Sequence, residues 1–285
     1  NKLMAFQTIG FIGLGLIGGS IAKKMKSNQP DIKIYATAHH KETIQEAYRE
    51  GRIENNDLLP LSAFSDCDYI FLCAPVQRNL AYLRQLKDII RGDCSITDVV
   101  STKKEIHEEV IRLGMEANFI GGHPMTGSEK TGILSATNTL LENAYYIITP
   151  TALTPKEEIS EFRDFVLSLG AIPLILDYKI HDYSTAAISH LPHMIAYSLV
   201  NLVHQIDDDK ETMKTIAAGG FKDITRIASS SPVMWQNICA SNREPILSLM
   251  DQYLAILTKL RGYLLFHIPD WQHARRRNHH HIKYL

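Results

Sequence analysis

The chain has 285 residues, of which 45% are hydrophobic and 21% are charged, so it has enough apolar material for one large core or two smaller ones. Thirty Lys and Arg against 31 Asp and Glu give a net charge of -1, which excludes a strong field attracting nucleic acid or an anionic membrane. No run approaches the ~20 apolar residues of a membrane span, so we expect neither partner.

Up to about Leu176, short β-rich runs alternate with helical patterns. The predicted strands are Thr8–Ile12, Lys33–Thr37, Asp68–Cys73, Ser95–Asp98, Asn118–Gly121, Ala144–Thr149 and Ile172–Leu176. The predicted helices are Leu16–Lys26, Lys41–Glu50, Gln77–Ile90, Thr102–Leu113 and Pro155–Leu169. Because a return to a parallel strand needs a crossover helix, this alternation predicts an α/β domain with a doubly wound parallel sheet covered on both faces.

After about Asp177 the pattern becomes helical, with almost no strand signal. Ile195–Val203 and Ile246–Leu260 have broad apolar faces. We therefore predict an α/β domain over residues 1–177 and an all-helical domain over residues 178–285. The helical domain has more apolar surface than a single helical layer can hide, which favours a homodimer.

The four cysteines form no C-x-x-C pair, and three of them lie next to or inside predicted buried strands. Reduced, packed thiols are typical of a cytoplasmic protein, and that is the expected location. The apolar stretch Ile9–Ala22 resembles a signal-peptide core, but it contains five glycines and no cleavage-like ending. The His-rich run at residues 278–281 is interpreted as an exposed tail rather than a metal site.

A glycine pattern, G-x-G-x-x-G, lies between the first predicted strand and helix. Gly13 would allow the tight turn, Gly15 would let the backbone approach a pyrophosphate, and Gly18 would allow close packing of helix on strand. The helix N-terminus, at Leu16 and Ile17, would supply N–H groups and a partial positive charge. This context predicts an NAD or NADP site on a Rossmann-type fold rather than a turn without a ligand.

An acidic residue is expected about 20 residues after this loop, where it binds the adenosine ribose diol. Ala38 occupies that place, followed by His39, His40 and Lys41. Ala38 neither binds the diol nor repels a 2′-phosphate. We therefore expect loose discrimination between NAD and NADP.

Three residues after later strands complete the candidate cofactor site. Ala74 and Pro75 follow the third strand, and Ser101 follows the fourth, at the sheet edge where ligands bind in doubly wound folds. Taken alone, Ser101 is better interpreted as a helix N-cap, with Glu105 one residue beyond the ideal capping-box position.

The segment G-G-H-P-M-T-G-S-E begins at Gly121 and places His123 after a predicted strand. With glycines before it and Pro124 after it, His123 is predicted on a rigid loop rather than in a core. A neutral imidazole there can accept the proton of a substrate hydroxyl as hydride leaves the same carbon. The alternative interpretation is a capping or core histidine.

The segment S-H-L-P-H places Ser189 and His193 four residues apart, on one face if the segment is helical. Pro192 is tolerated best near a site or a helix start. His190 and His193 could form a metal pair, but no further ligand has suitable spacing, so no metal is predicted.

The segment G-G-F-K-D-I-T-R places Lys222 and Arg226 four residues apart. Two cations on one helix face suit a dicarboxylate, and Arg can bind a carboxylate with two parallel hydrogen bonds. The plainer alternative is a solvated basic edge.

In order, these motifs resemble those of the prephenate/arogenate dehydrogenase family, over about residues 8–242. The resemblance implies a Rossmann domain and a helical dimerisation domain, with the active site between them. It also implies oxidative decarboxylation of prephenate to 4-hydroxyphenylpyruvate and CO2 in tyrosine biosynthesis, or of arogenate to tyrosine, and it favours NAD. Members often have a further regulatory domain after the helical one, and we expect this chain to end before such a domain.

The resemblance also implies roles for single residues. His123 would bond the ring hydroxyl of the substrate and promote hydride transfer, with Ser101 near the nicotinamide and the same hydroxyl. Arg226 would bind a carboxylate. The substrate-site residues that it implies are Ser189, His193 and Arg226, with Lys222 and Glu129 at the mouth of the site.

Two other functions compete with this one. A β-hydroxyacid dehydrogenase shares the two-domain plan, but it is expected to place a catalytic Lys where this chain has S-H-L-P-H. A catalytically silent dinucleotide sensor is disfavoured by the joint presence of His123, Ser101 and Arg226.

Overall fold

The sheet of this computed structural model, which describes residues 6–126 and 132–266, has seven strands in the order β2-β1-β3-β4-β5-β6-β7. The strands are β1 (Thr8–Ile12), β2 (Lys33–Thr37), β3 (Tyr69–Leu72), β4 (Ser95–Asp98), β5 (Phe119–Pro124), β6 (Tyr145–Pro150) and β7 (Ile172–Ile175). Strands β1 to β5 are parallel to one another. The predicted Rossmann-type sheet is therefore confirmed for these strands.

The pair β5 and β6 is antiparallel, and β7 runs parallel to β6. At this end the sheet departs from the parallel arrangement that was predicted. The described part of the connection between β5 and β6 contains a single short 3-10 helix, Ile133–Ser135. Antiparallel neighbours need no crossover helix, which is consistent with this connection.

Helices cover both faces of the sheet. They are α1 (Leu16–Asn28), α2 (Lys41–Arg49), α3 (Val76–Leu86), α4 (Lys104–Leu113) and α5 (Lys156–Ser168). The two faces have separate apolar cores, because successive side chains of a strand point to opposite sides. In β3, Phe71 packs in one core, and Ile70 and Leu72 pack in the other. The predicted doubly wound arrangement is confirmed.

From Tyr178 onward the described chain is helical, as predicted. The helices are α6 (Tyr178–Thr185), α7 (Leu191–Ile206), α8 (Thr212–Ile216), α9 (Gly219–Thr225), α10 (Pro232–Ser241) and α11 (Arg243–Phe266). A π turn, Ala186–His190, joins α6 to α7. The chain forms two compact units: Asn1–Thr185 with Ser229–Asn242, and Ala186–Ala228 with Arg243–Leu285. Helices α6 and α10 therefore belong to the unit that contains the sheet.

One helical stretch, Tyr178–Ile206, is long and apolar enough to cross a membrane by length and composition alone. From the sequence we expected no apolar run of that length, and polar residues do interrupt this stretch. Three of those polar side chains, His181, Asp182 and His190, are buried. Of the apolar window in this stretch 28% is buried, and one such helix is weak evidence for a membrane span.

Candidate active site

The glycine loop joins β1 to α1, and packing fixes two of its glycines. Gly13 has a φ of +90°, and a Cβ there would lie 2.5 Å from the backbone nitrogen of Ala74. A Cβ at Gly18 would lie 2.9 Å from a cysteine sulfur of the β3–α3 connection. At Gly15, by contrast, no described atom lies within 4 Å of the Cβ position. The loop is thus closed on the protein side and open at Gly15.

The N-terminus of α1 is suited to an anion. Gly15 is its N-cap, no side chain in the described structure caps it, and its first turn contains no acidic residue. The N–H groups of the first turn, which begins at Leu16 and Ile17, have no partner within the helix and carry a partial positive charge. These residues fit the pyrophosphate of a dinucleotide. Pro75 begins the neighbouring α3 as its N-cap.

The end of β2 has a cation beside it, Arg78, that was not among the residues predicted for this place. Ala38 is half-buried there, and the adjacent His39 is exposed. The Nδ1 atom of His39 lies 3.3 Å from Nη1 of Arg78, a residue of α3. The ammonium of Lys41 is instead bonded to the Asp57 carboxylate at 2.7 Å. The cation beside His39 is therefore Arg78 rather than Lys41.

His123 lies within β5, so its predicted position on a loop after the strand was wrong. Strand β5 extends to Pro124 because β6 continues the ladder beside it and pairs His123 with Ile147. A Cβ at Gly121 would collide with a side chain of β6, and one at Gly122 would lie 2.7 Å from a carbonyl oxygen at the end of β4. The glycines thus serve close strand packing, and His123 is held in the sheet at 9% exposure.

A second histidine and an aspartate lie behind His123. The Nδ1 atom of His123 lies 2.8 Å from Nε2 of His181, and Nδ1 of His181 lies 2.8 Å from Oδ1 of Asp182. His181 is fully buried and Asp182 is 3% exposed. Both belong to α6, and neither was among the residues predicted for the site. Their only local signal is a His-Asp pair inside an apolar helical run.

Asp182 also caps the N-terminus of α4. Its two carboxylate oxygens accept hydrogen bonds from the backbone N–H groups of Lys103 and Lys104, each at 2.8 Å. The interpretation of Ser101 as the N-cap was therefore wrong, because α4 begins at Lys104. Glu105 does not complete a capping box either: its carboxylate accepts a hydrogen bond from a Gln side chain of α3.

A fully buried ion pair, Lys103 with Asp98, fixes the adjoining ends of β4 and β5. The Asp98 carboxylate also accepts the backbone N–H groups of Gly122 at 3.2 Å and Val100 at 3.0 Å. Burial raises the pKa of Asp98 and lowers the pKa of Lys103, and the attraction between the two charges opposes both shifts. The pair holds in place the two strand ends next to which Ser101 and His123 lie.

In the second unit, Ser189 is half-buried in the π turn, and His193 is buried in the first turn of α7. Pro192 lies in the first turn of α7, a position where proline is tolerated. Burial lowers the pKa of His193, so the neutral imidazole is favoured. π turns occur frequently at functional sites.

Lys222 lies on α9, and Arg226 is the C-cap of that helix with helical backbone angles, φ -50° and ψ -42°. Both side chains are exposed, so α9 presents two cations four residues apart, as the spacing predicted. Glu129 lies outside the described residues. In the described ranges, no group of three or more His, Cys, Asp or Glu residues could hold a metal ion.

Comparison with known proteins gives a consistent result. The family model "Prephenate dehydrogenase, nucleotide-binding domain" matches residues 21–173, and "Prephenate dehydrogenase, dimerization domain" matches residues 177–271. The chain is 37% identical over 260 residues to a prephenate dehydrogenase of Bacillus subtilis (strain 168), which covers 90% of this chain and 70% of that protein.

Solved structures agree. The prephenate dehydrogenase from A. aeolicus in complex with hydroxyphenyl propionate and NAD+ has a TM-score of 0.85 and 28% identity, over 99% of this chain and 96% of that one. A Synechocystis arogenate dehydrogenase has a TM-score of 0.85 and 28% identity, over 98% of this chain and 100% of that one.

Proposed function

The chain belongs to the prephenate dehydrogenase family, and we propose from that premise that it converts prephenate to 4-hydroxyphenylpyruvate and CO2, with NAD as the hydride acceptor, in tyrosine biosynthesis. The observation that supports this most directly is His123 near the carboxyl end of β5, in contact with His181, which in turn contacts Asp182. The relative from A. aeolicus was crystallised with NAD+, and the open N-terminus of α1 here suits that group.

Prephenate has a ring alcohol and two carboxylates. NAD, when bound, takes hydride from the carbinol carbon. We propose that His123 accepts the proton of the alcohol as the C–H electron pair leaves, so that the carbinol becomes a carbonyl. The bond to the ring carboxylate then breaks, its electron pair enters the ring, and CO2 departs. The new phenol oxygen takes the proton back from His123, and aromatisation supplies the driving force.

The remaining site residues keep their predicted roles within this proposal. Arg226 binds a substrate carboxylate, with Lys222 as a second cation, and their spacing on α9 supports a dicarboxylate ligand. Ser189 and His193 contact the substrate from the π turn and α7. Ser101, freed from helix capping, lies beside the nicotinamide and the ring hydroxyl.

The direct test is to mix the protein with prephenate and NAD and to follow the near-ultraviolet absorbance of the reduced nicotinamide. Arogenate is the second candidate substrate, because the Synechocystis arogenate dehydrogenase is as similar in structure as the A. aeolicus enzyme. A larger kcat/KM with arogenate would assign that substrate instead. Dinucleotide binding without turnover of either substrate would indicate a sensor.

We propose that cofactor discrimination is loose, so that NADP is accepted at a rate comparable to NAD. Ala38 offers no carboxylate to repel a 2′-phosphate, and Arg78 beside His39 offers it a cation. Ala38→Asp should therefore shift the ratio of kcat/KM values toward NAD by roughly 1–3 kcal/mol. The neutral isostere Ala38→Asn is the matched control and should shift it less. A wild-type preference for NAD above about a hundredfold would show that another residue discriminates.

We propose that the protein is a homodimer formed through its helical unit. Helices α7 and α11 expose many large apolar side chains, among them Tyr197 at 54%, Ile206 at 56% and Ile256 at 56% exposure. Exposed apolar surface of this extent favours pairing with a second copy. Sedimentation should therefore give twice the monomer mass of 32.2 kDa at micromolar concentration.

Ile256→Asp should weaken the dimer. The control is Leu153→Asp, at a residue that is 61% exposed in the first unit, and it should leave the dimer intact. A single species at the monomer mass for the wild type would contradict the proposal.

We also propose a cytoplasmic location. The four cysteines are free, and Cys67 and Cys94 are buried. Burial raises the pKa of the Cys67 thiol to about 12, so its reactive thiolate is disfavoured. Reduced, unreactive thiols support a reducing compartment.

A further inference from the structure

A neutral histidine has one protonated ring nitrogen, and only its other nitrogen can act as a base. The function proposed for His123 therefore requires a particular tautomer. Its Nδ1 atom lies 2.8 Å from His181, so the proton must be on Nδ1 if Nε2 is to accept a substrate proton. Whether His181 imposes that tautomer depends on the contact that its other ring nitrogen, Nδ1, makes.

Behind His181 is a group that accepts hydrogen bonds. Asp182 receives two backbone N–H groups from the start of α4, where a negative charge is favoured. Its Oδ1 atom is also 2.8 Å from Nδ1 of His181, which must then donate. A neutral His181 that donates through Nδ1 has a lone pair on Nε2, and this lone pair can accept the N–H of His123.

We propose that His181 and Asp182 are positioning residues that hold His123 in the tautomer protonated on Nδ1, which leaves Nε2 as the base for the ring hydroxyl. This inference rests on the function proposed above. The direction of each hydrogen bond follows from the one before it. Asp182 accepts from the N-terminus of α4, so Nδ1 of His181 donates to Asp182. Nε2 of His181 then accepts, so Nδ1 of His123 donates to it.

Several titratable groups lie near the relay that His123, His181 and Asp182 form. In the described part of the first unit they include Asp98 on β4, Lys103, Glu105 and His107 at the start of α4, and Tyr146 on β6. Lys103 is paired with Asp98. Burial lowers the pKa of His107 to about 3 and raises the pKa of Tyr146 far above its ordinary value, so both are neutral near pH 7.

The first experiment is a pair of substitutions at one position. His181→Leu removes the acceptor and should lower kcat about 100-fold, with KM and dinucleotide affinity nearly unchanged. His181→Gln supplies an amide oxygen toward His123 and an amide N–H toward Asp182, and it should stay within about tenfold of wild type. The split between kcat and KM and the rescue by Gln separate positioning from mere packing.

The matched control is His107→Leu. His107 is a similarly buried histidine of the same unit, and it bonds Thr149 at 2.9 Å and stacks on Tyr178 rather than on the relay. Its loss should lower thermal stability but leave kcat within about threefold of wild type. An equal loss of kcat in His107→Leu, or equal losses in the Leu and Gln variants of His181, would overturn the proposal.

The second experiment reads the tautomer directly and needs no turnover. Nitrogen-15 spectra of histidine-labelled wild-type protein should show His123 protonated on Nδ1, and His181→Leu should shift His123 toward protonation on Nε2. Wild-type protonation on Nε2 would overturn the relay. Protonation on Nδ1 in a protein that turns over neither prephenate nor arogenate would leave the relay standing and refute the proposed function.

Discussion

His123→Asn should lower kcat by about 10²–10⁴-fold, the usual contribution of a positioned general base. The expected loss falls on kcat because Asn can keep the contact on the protein side while it removes the base. Its amide nitrogen can replace Nδ1 as the donor to His181, which lies 2.8 Å away in the wild type. Nothing in Asn replaces Nε2. Steady-state kinetics with prephenate measure the loss.

Dinucleotide affinity serves as the internal control for this substitution. The glycine loop follows β1, which β3 and β4 separate from β5 in the sheet, so binding of NAD should stay close to the wild-type value. Substrate KM should also change much less than kcat. A variant that retains more than about a tenth of wild-type kcat would show that the base is a different residue.

The sequence predicted the parts of the site that depend on local pattern. The glycine loop has a positive-φ turn at Gly13 and open space at Gly15, as G-x-G-x-x-G between strand and helix implies. Lys222 and Arg226 lie four residues apart on helical backbone, and Pro192 lies in the first turn of α7, one of the two settings considered for it. Each of these features follows from spacing along a few residues.

The relay behind His123 could not be predicted in the same way. His181 lies 58 residues from His123, and Asp182 lies 79 residues from the backbone N–H that it caps. Only the packing of α6 against the sheet unit brings them together, and no periodicity records that packing. For the same reason the local pattern suggested Ser101 as the N-cap, whereas α4 is capped from α6.

The antiparallel end of the sheet had a signal that could have been used. No helix was predicted between β5 and β6, and a parallel return requires a crossover helix. With the antiparallel partner recognised, β5 would have been extended through Gly122 to His123, which pairs with Ile147. The position of Arg78 beside His39 could not be predicted from local pattern. Only the order of the strands in the sheet places the start of α3 beside the end of β2.

Arg226→Ala should act on substrate binding. Loss of a charge-assisted carboxylate contact costs on the order of 2–4 kcal/mol, which corresponds to a rise in KM of about 30- to 900-fold. The expectation rests on the exposed position of Arg226 at the C-terminal end of α9, four residues after Lys222. Kinetics over a wide range of prephenate concentrations measure the change in KM.

Arg226→Lys tests whether the charge of Arg226 or the planar shape of its guanidinium is needed for substrate binding. It keeps the charge but loses the planar fork that binds both carboxylate oxygens, so its KM should lie between those of the wild type and Arg226→Ala. Affinity for NAD should not change in either variant, because Arg226 and the glycine loop belong to different compact units. Weakened dinucleotide binding with a normal KM for prephenate would contradict the role assigned to Arg226. If instead Lys and Ala raise KM equally, the contact depends on the geometry of the guanidinium rather than on its charge.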